Sequence, residues 1–164
     1  MSAQSPGRGL AVHGGVAVIN LLGDFTLTPF ESPFAAADRL VEEARRETPI
    51  VVVDFHAEAT SEKVALAYYL DGRVTAVIGT HTHVQTNDAR VLAGGTAAIT
   101  DAGMTGPHDS VIGSVPEGAI RRFVTGMPVR LEPATGDVRI EGVLVECGGD
   151  GRATRCEPVR IAVE

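Results

Sequence analysis

Hydrophobic positions along the chain follow two periods. Residues 16–22 (Val-Ala-Val-Ile-Asn-Leu-Leu) form a short apolar run that reads as a buried strand. Residues 49–55 (Pro-Ile-Val-Val-Val-Asp-Phe) form another, β-branched and apolar on both faces as an interior strand requires. Between them, Phe34, Ala37, Leu40, Val41 and Ala44 recur at helical spacing. Ser32 precedes them as a candidate N-cap, and Pro33 suits the first helical position. Residues 61–70 read as a second helix capped by Ser61, and Asp71-Gly72 as a turn. Residues 74–78 and 96–100 supply two further strands. Strand alternating with helix predicts an α/β layer.

Past Gly113 the pattern changes. Residues 120–127 suggest a short helix. Residues 129–132 and 138–141 alternate apolar with polar and flank a turn-rich loop at 133–137, which predicts a hairpin with one wet face. Residues 143–146 and 159–163 are further strand candidates, so the tail is expected to be antiparallel β. Neither a repeat nor a long linker divides the 164 residues, and one domain over 1–164 is expected.

Charge narrows the function classes. A formal net charge of −7 argues against nucleic-acid duplexes, which demand clustered Lys and Arg. It leaves open a small phosphorylated substrate, because a bound metal reverses the local field. No run approaches the roughly 20 apolar residues of a membrane span. The first residues lack the pattern of a signal peptide, so a cytoplasmic location is expected. Cys147 and Cys156 stand on either side of a glycine-rich segment of eight residues. A hairpin would bring them within disulfide reach, but two ordinary thiols are the favoured reading.

Three of the five histidines sit where strands end: His56 after Val-Val-Val-Asp-Phe, and His81 and His83 after Val-Ile-Gly-Thr. Ligands gather beyond the C-terminal strand ends of open α/β sheets, and neutral imidazole is a common metal ligand. Gly79 is expected to let the backbone turn sharply, and small Thr80 and Thr82 to leave room for the rings. Asp54 is a candidate acceptor that orients a histidine from behind. Glu58 is a candidate ligand, base or hydrogen-bond partner. His13 reads as a turn residue. His108 lies in a glycine-rich loop and is a weaker candidate for the border of the site. Arg8 in Gly-Arg-Gly is a weaker phosphate candidate. No nucleophile elbow, P-loop or Rossmann glycine pattern occurs.

The segment Val-Asp-Phe-His56-Ala-Glu-Ala-Thr-Ser-Glu-Lys resembles the YmdB-like family of bacterial metallophosphoesterases. So does Asp-Gly-Arg-Val-Thr-Ala-Val-Ile-Gly-Thr-His81-Thr-His83-Val-Gln-Thr. Matches continue through Ile-Thr-Asp101-Ala-Gly-Met-Thr-Gly106 and Asp109-Ser-Val-Ile-Gly113, and at Ser5–Gly9 and Pro29–Ala37. The resemblance covers roughly residues 5 to 146. It implies a partial calcineurin-like sandwich and a two-metal centre, with Fe or Mn expected and Zn as the alternative. It further implies hydrolysis of 2′,3′-cyclic nucleotides, with 3′,5′-cyclic nucleotides as a secondary expectation. By position, His56 and His81 would bind one ion and His83 the other.

The family's first motifs supply an aspartate, a bridging acid, asparagines and an acid histidine. They have no counterpart here, and Gly-Asn-His occurs nowhere. The expectation is therefore an N-terminally truncated domain, the C-terminal part of such an enzyme, with no catalytic acid of its own. Such a chain would expose an edge strand and an apolar face, and would form a homo-oligomer or pair with a complementing N-terminal polypeptide. The competing expectation is a non-catalytic metal-binding or interaction module.

Overall fold

A computed structural model describes residues 8–29 and 31–163, so most of the Ser5–Gly9 segment lies outside the described residues. Twelve elements are formed among the described residues. They are β1 (Leu10–His13), β2 (Val16–Leu22), α1 (Pro33–Glu47), β3 (Ile50–His56), α2 (Thr60–Tyr69), β4 (Ala76–Thr80), β5 (Arg90–Val91), β6 (Ala97–Ile99), β7 (Gly106–Asp109), α3 (Pro116–Thr125), β8 (Gly136–Cys147) and β9 (Ala153–Ala162). One sheet has the order β1-β2-β3-β4-β6-β5 and the other β7-β8-β9. In the first, β2, β3, β4 and β6 run parallel, with antiparallel β1 and β5 at the edges. The second sheet is antiparallel throughout, as expected of the tail.

Strand periodicity sorts the core into two layers. Ala17, Ile19, Val51, Val53 and Phe55 point to one side, where α1 and α2 cover them with Ala37, Val41 and Leu66. On the other side Val52, Ala76, Ile78 and Ala97 meet Val145, Ala153 and Cys156 of the β8–β9 hairpin. That second cluster holds no residue of β2. Consequently β2 is buried on one face only, with Val18 and Leu22 exposed on the other. This differs from the fully buried strand expected of residues 16–22.

Three other expectations are corrected. Residues 129–132 form no strand; β8 pairs instead with β7 and β9. Ser61 lies inside α2, whose N-cap is Ala59 without a side-chain hydrogen bond. The third helix starts earlier, with Pro116 in its first turn. The cysteines are free: the register sets Cys156 opposite Val145 and Cys147 opposite Ala153. Burial pushes the Cys156 thiol up, which keeps it unreactive. No helix among the described residues is long and apolar enough to cross a membrane.

Candidate functional site

Parallel register delivers the site. Asn20 pairs with Asp54, and His56 pairs with Thr80, at the C-terminal ends of β2, β3 and β4. With a side-chain period of two, Asp54 and His56 share one face of β3. Thr80 bridges them. Its hydroxyl donates to Asp54 Oδ1 at 3.2 Å, and His56 Nδ1 lies 3.1 Å from the same hydroxyl. Asn20 Nδ2 donates to Asp54 Oδ2 at 2.8 Å. A hydroxyl that gives its proton to a carboxylate must accept from the ring. The network therefore assigns the proton of His56 to Nδ1 and leaves Nε2 with a lone pair.

That Nε2 faces His81 Nδ1 at 3.2 Å, with the ring planes inclined by 67°. The expected convergence of His56 and His81 is present. His83 is exposed and makes no hydrogen bond or ring contact with either of them among the described residues. Nor does any group of three His, Cys, Asp or Glu surround one point there. Glu58 is exposed and unpaired among the described residues, and so are His13 and Arg8.

The loop carrying the histidines is strained. His81 and His83 have φ of +139° and +64°, a region that costs a side-chain-bearing residue about 1–3 kcal/mol. Between them, the Thr82 amide donates to Asp101 Oδ2 at 2.8 Å. Asp101 is buried and paired with Lys63 Nζ at 3.2 Å; the side chains are 1% and 3% exposed. Gly79 explains how these groups fit. It is not a turn residue but a close-approach residue within β4. A Cβ there would stand 2.0 Å from the Thr100 carbonyl oxygen and 2.9 Å from Lys63 Cδ.

A second buried acid supports the other flank of His56. Glu62 Oε1 accepts from the Asp24 amide at 2.7 Å, and the Gly23 amide donates to the His56 carbonyl at 2.9 Å. His108 lies apart from the histidine pair. Its Nδ1 donates to the Gly106 carbonyl at 3.0 Å. Its Nε2 stands 3.3 Å from Glu141 Oε2, at ion-pair distance but outside hydrogen-bond geometry. Asp101, Glu62 and Lys63 stand out in the sequence only as parts of motifs. A signal for them exists. Glu62 and Lys63 stand four residues before Leu66 and Ala67, on the stripe that α2 buries.

Comparison with known proteins adds a lineage to this geometry. The chain is 51% identical over 146 residues to a 2′,3′-cyclic-nucleotide 2′-phosphodiesterase of Bacillus subtilis (strain 168), covering 87% of this chain and 55% of that protein. The crystal structure of a hypothetical protein from Thermus thermophilus superposes with a TM-score of 0.87 at 42% identity, over 98% of this chain and 64% of that one. That of a novel phosphatase from Mycoplasma pneumoniae gives 0.83 at 37%, over 95% and 58%. The chain thus spans about half the length of the curated relatives it matches. The family model described as YmdB-like protein matches residues 1–159, and the chain belongs to the YmdB-like family.

Proposed function

We propose that this chain supplies one side of a two-metal phosphodiesterase centre acting on 2′,3′-cyclic, and also 3′,5′-cyclic, nucleotides. His56 and His81 hold one divalent ion and His83 the other. The observation that carries this reading is the His56–His81 pair. Two nitrogens each about 2.0–2.1 Å from one tetrahedral ion lie about 3.3 Å apart. The observed 3.2 Å fits that spacing, and an ion there replaces the proton the rings share. The chain from Asp54 through Thr80 to His56 keeps Nε2 as the donor atom.

Bound divalent ions, Fe or Mn by family and Zn as the alternative, supply a hydroxide nucleophile at neutral pH and offset phosphate charge. The chain's own part is to present the imidazoles in fixed orientation. The aspartate, bridging acid, asparagine and acid-histidine motifs of the family find no match in these 164 residues. We therefore infer a single domain forming part of a calcineurin-like sandwich in a cytoplasmic enzyme. Those motifs would come from residues outside these 164, on a longer chain or a complementing polypeptide. The exposed apolar positions on one face of β2, Val18 and Leu22, offer a surface for them to cover.

Metal analysis of the purified chain, with an assay on 2′,3′-cyclic AMP, tests the reading. Substoichiometric metal and little turnover are expected from the chain alone, and loss of the bound metal in the His81→Ala/His83→Ala variant. Unchanged metal content in that variant removes both residues as ligands. Tight binding of two ions with rapid turnover by the unaccompanied chain refutes the need for a complement.

A further inference from the structure

The His81-Thr82-His83 segment holds two side-chain-bearing residues at positive φ. Neither position is glycine, the residue that adopts such a conformation without steric cost. Thr82 Oγ1 bonds the Val84 backbone within the loop, and the restraint on the Thr82 peptide comes from outside it. Asp101 Oδ2 accepts the Thr82 amide, and Asp101 Oδ1 accepts the Gly103 amide at 3.0 Å. The backbone of Asp101 is tied to the same loop, because its carbonyl accepts the Thr86 amide at 3.1 Å and its amide donates to Thr86 Oγ1 at 2.9 Å. Both carboxylate oxygens are thus committed as acceptors, an arrangement an amide side chain cannot reproduce because one of its two ends donates. Lys63 is the only cation within pairing distance of Asp101 among the described residues.

We propose that Asp101, with Lys63 as its sealed counter-ion, is a positioning residue that sets where the His81 and His83 imidazoles stand. The inference rests on those imidazoles being ligands, but the clamp itself is a property of the metal-free chain. A carboxylate on the Thr82 amide fixes the peptide between the two rings, and hence the direction in which each leaves the backbone. Lys63 makes the carboxylate tolerable without water. Water would otherwise compete for the same amide.

Asp101→Asn tests this, with Val53→Ala as a core variant of lowered stability that touches neither clamp nor loop. Two quantities are read: hydrogen exchange at the Thr82 amide with the ring shifts of His81 and His83 in metal-free protein, and Co²⁺ affinity from visible absorption. Relative to Val53→Ala, Asp101→Asn is expected to speed Thr82 exchange and move both ring shifts. It is also expected to weaken Co²⁺ binding by about tenfold or more, the scale seen when groups orienting a ligand are removed. If Asp101→Asn does not fold, Lys63→Met/Asp101→Asn removes both charges and is read the same way. Exchange and ring shifts matching Val53→Ala overturn the proposal, as does Co²⁺ affinity equal to that of Val53→Ala. If His81→Ala/His83→Ala binds Co²⁺ like the wild type, the ligand assignment fails, and the metal-free readings alone decide whether the clamp places the rings.

Discussion

Asp101 and Glu141 are two buried carboxylates with side chains each 1% exposed, yet they are neutralised in opposite ways. Asp101 has a cation as buried as itself, the 3%-exposed Lys63. Glu141 has Arg160, about half exposed, at 2.6 Å, with His108 beside it. They are neighbours in effect, because the Gly103 amide donates to Asp101 and the next amide, Met104, donates to Glu141 at 3.2 Å. One acid holds a strained loop at the end of the parallel sheet. The other fastens the segment after Asp101 to the antiparallel sheet. A sealed pair gives rigidity independent of solvent, whereas a pair open on one side stays exposed to pH and salt.

The largest effect expected is from Lys63→Met. Removing one partner of a sealed pair strands the other charge, at a cost of about 3–5 kcal/mol in unfolding free energy by denaturant titration. A loss below about 1 kcal/mol would show that water reaches Asp101 and would erase the contrast. Gly103→Ala strikes both acids at once. Its φ is +89°, and a Cβ would stand 2.2 Å from Glu141 Oε2. A loss of about 2–3 kcal/mol is expected, reduced when combined with Glu141→Ala. Strict additivity in that double variant would place the strain elsewhere.

Arg160→Met should cost less than Lys63→Met, about 1–2 kcal/mol, because solvent and the Met104 amide still serve Glu141. Equal losses for the two cations would mean that exposure does not separate them. pH sharpens the point. Burial alone would raise the Glu141 carboxyl, but the Met104 amide, His108 and Arg160 together hold it below the ordinary glutamate range. A depressed carboxyl adds stability above its unfolded value, and that stability is lost as pH falls through the folded value. The advantage of wild type over Glu141→Gln should therefore be full at neutral pH and shrink in acid below about pH 4. A constant difference across that range would exclude Glu141 as the titrating group. The smallest effect belongs to Arg155, which pairs in the open with Glu146 and Glu157; Arg155→Ala should leave the unfolding midpoint unchanged.

The site is legible in the sequence to the extent that strand ends are legible. His56 and His81 follow runs whose β-branched residues announce strands, and parallel pairing brings such ends together. Asp54 lies two residues before His56, so its face is set by the strand period. Thr80 reads as a spacer in the sequence, and its hydroxyl bridge emerges only from the pairing of His56 with Thr80. The hairpin expected at 129–141 does not form, although two alternating segments in sequence order look self-sufficient. The partner that β8 takes, β7, is a short Gly-Pro-His-Asp stretch without strand character of its own.

By itself the sequence determined the helices, the apolar strands and the family, since periodicity and motif are properties of residues close along the chain. Tertiary structure alone decided which charges are buried and what they hold. Lys63 and Asp101 are 38 residues apart, and Thr82 lies 19 from Asp101. Their meeting depends on how a helix, a strand end and a loop stack, and on a glycine at position 79 that lets two backbones come close enough to shut water out.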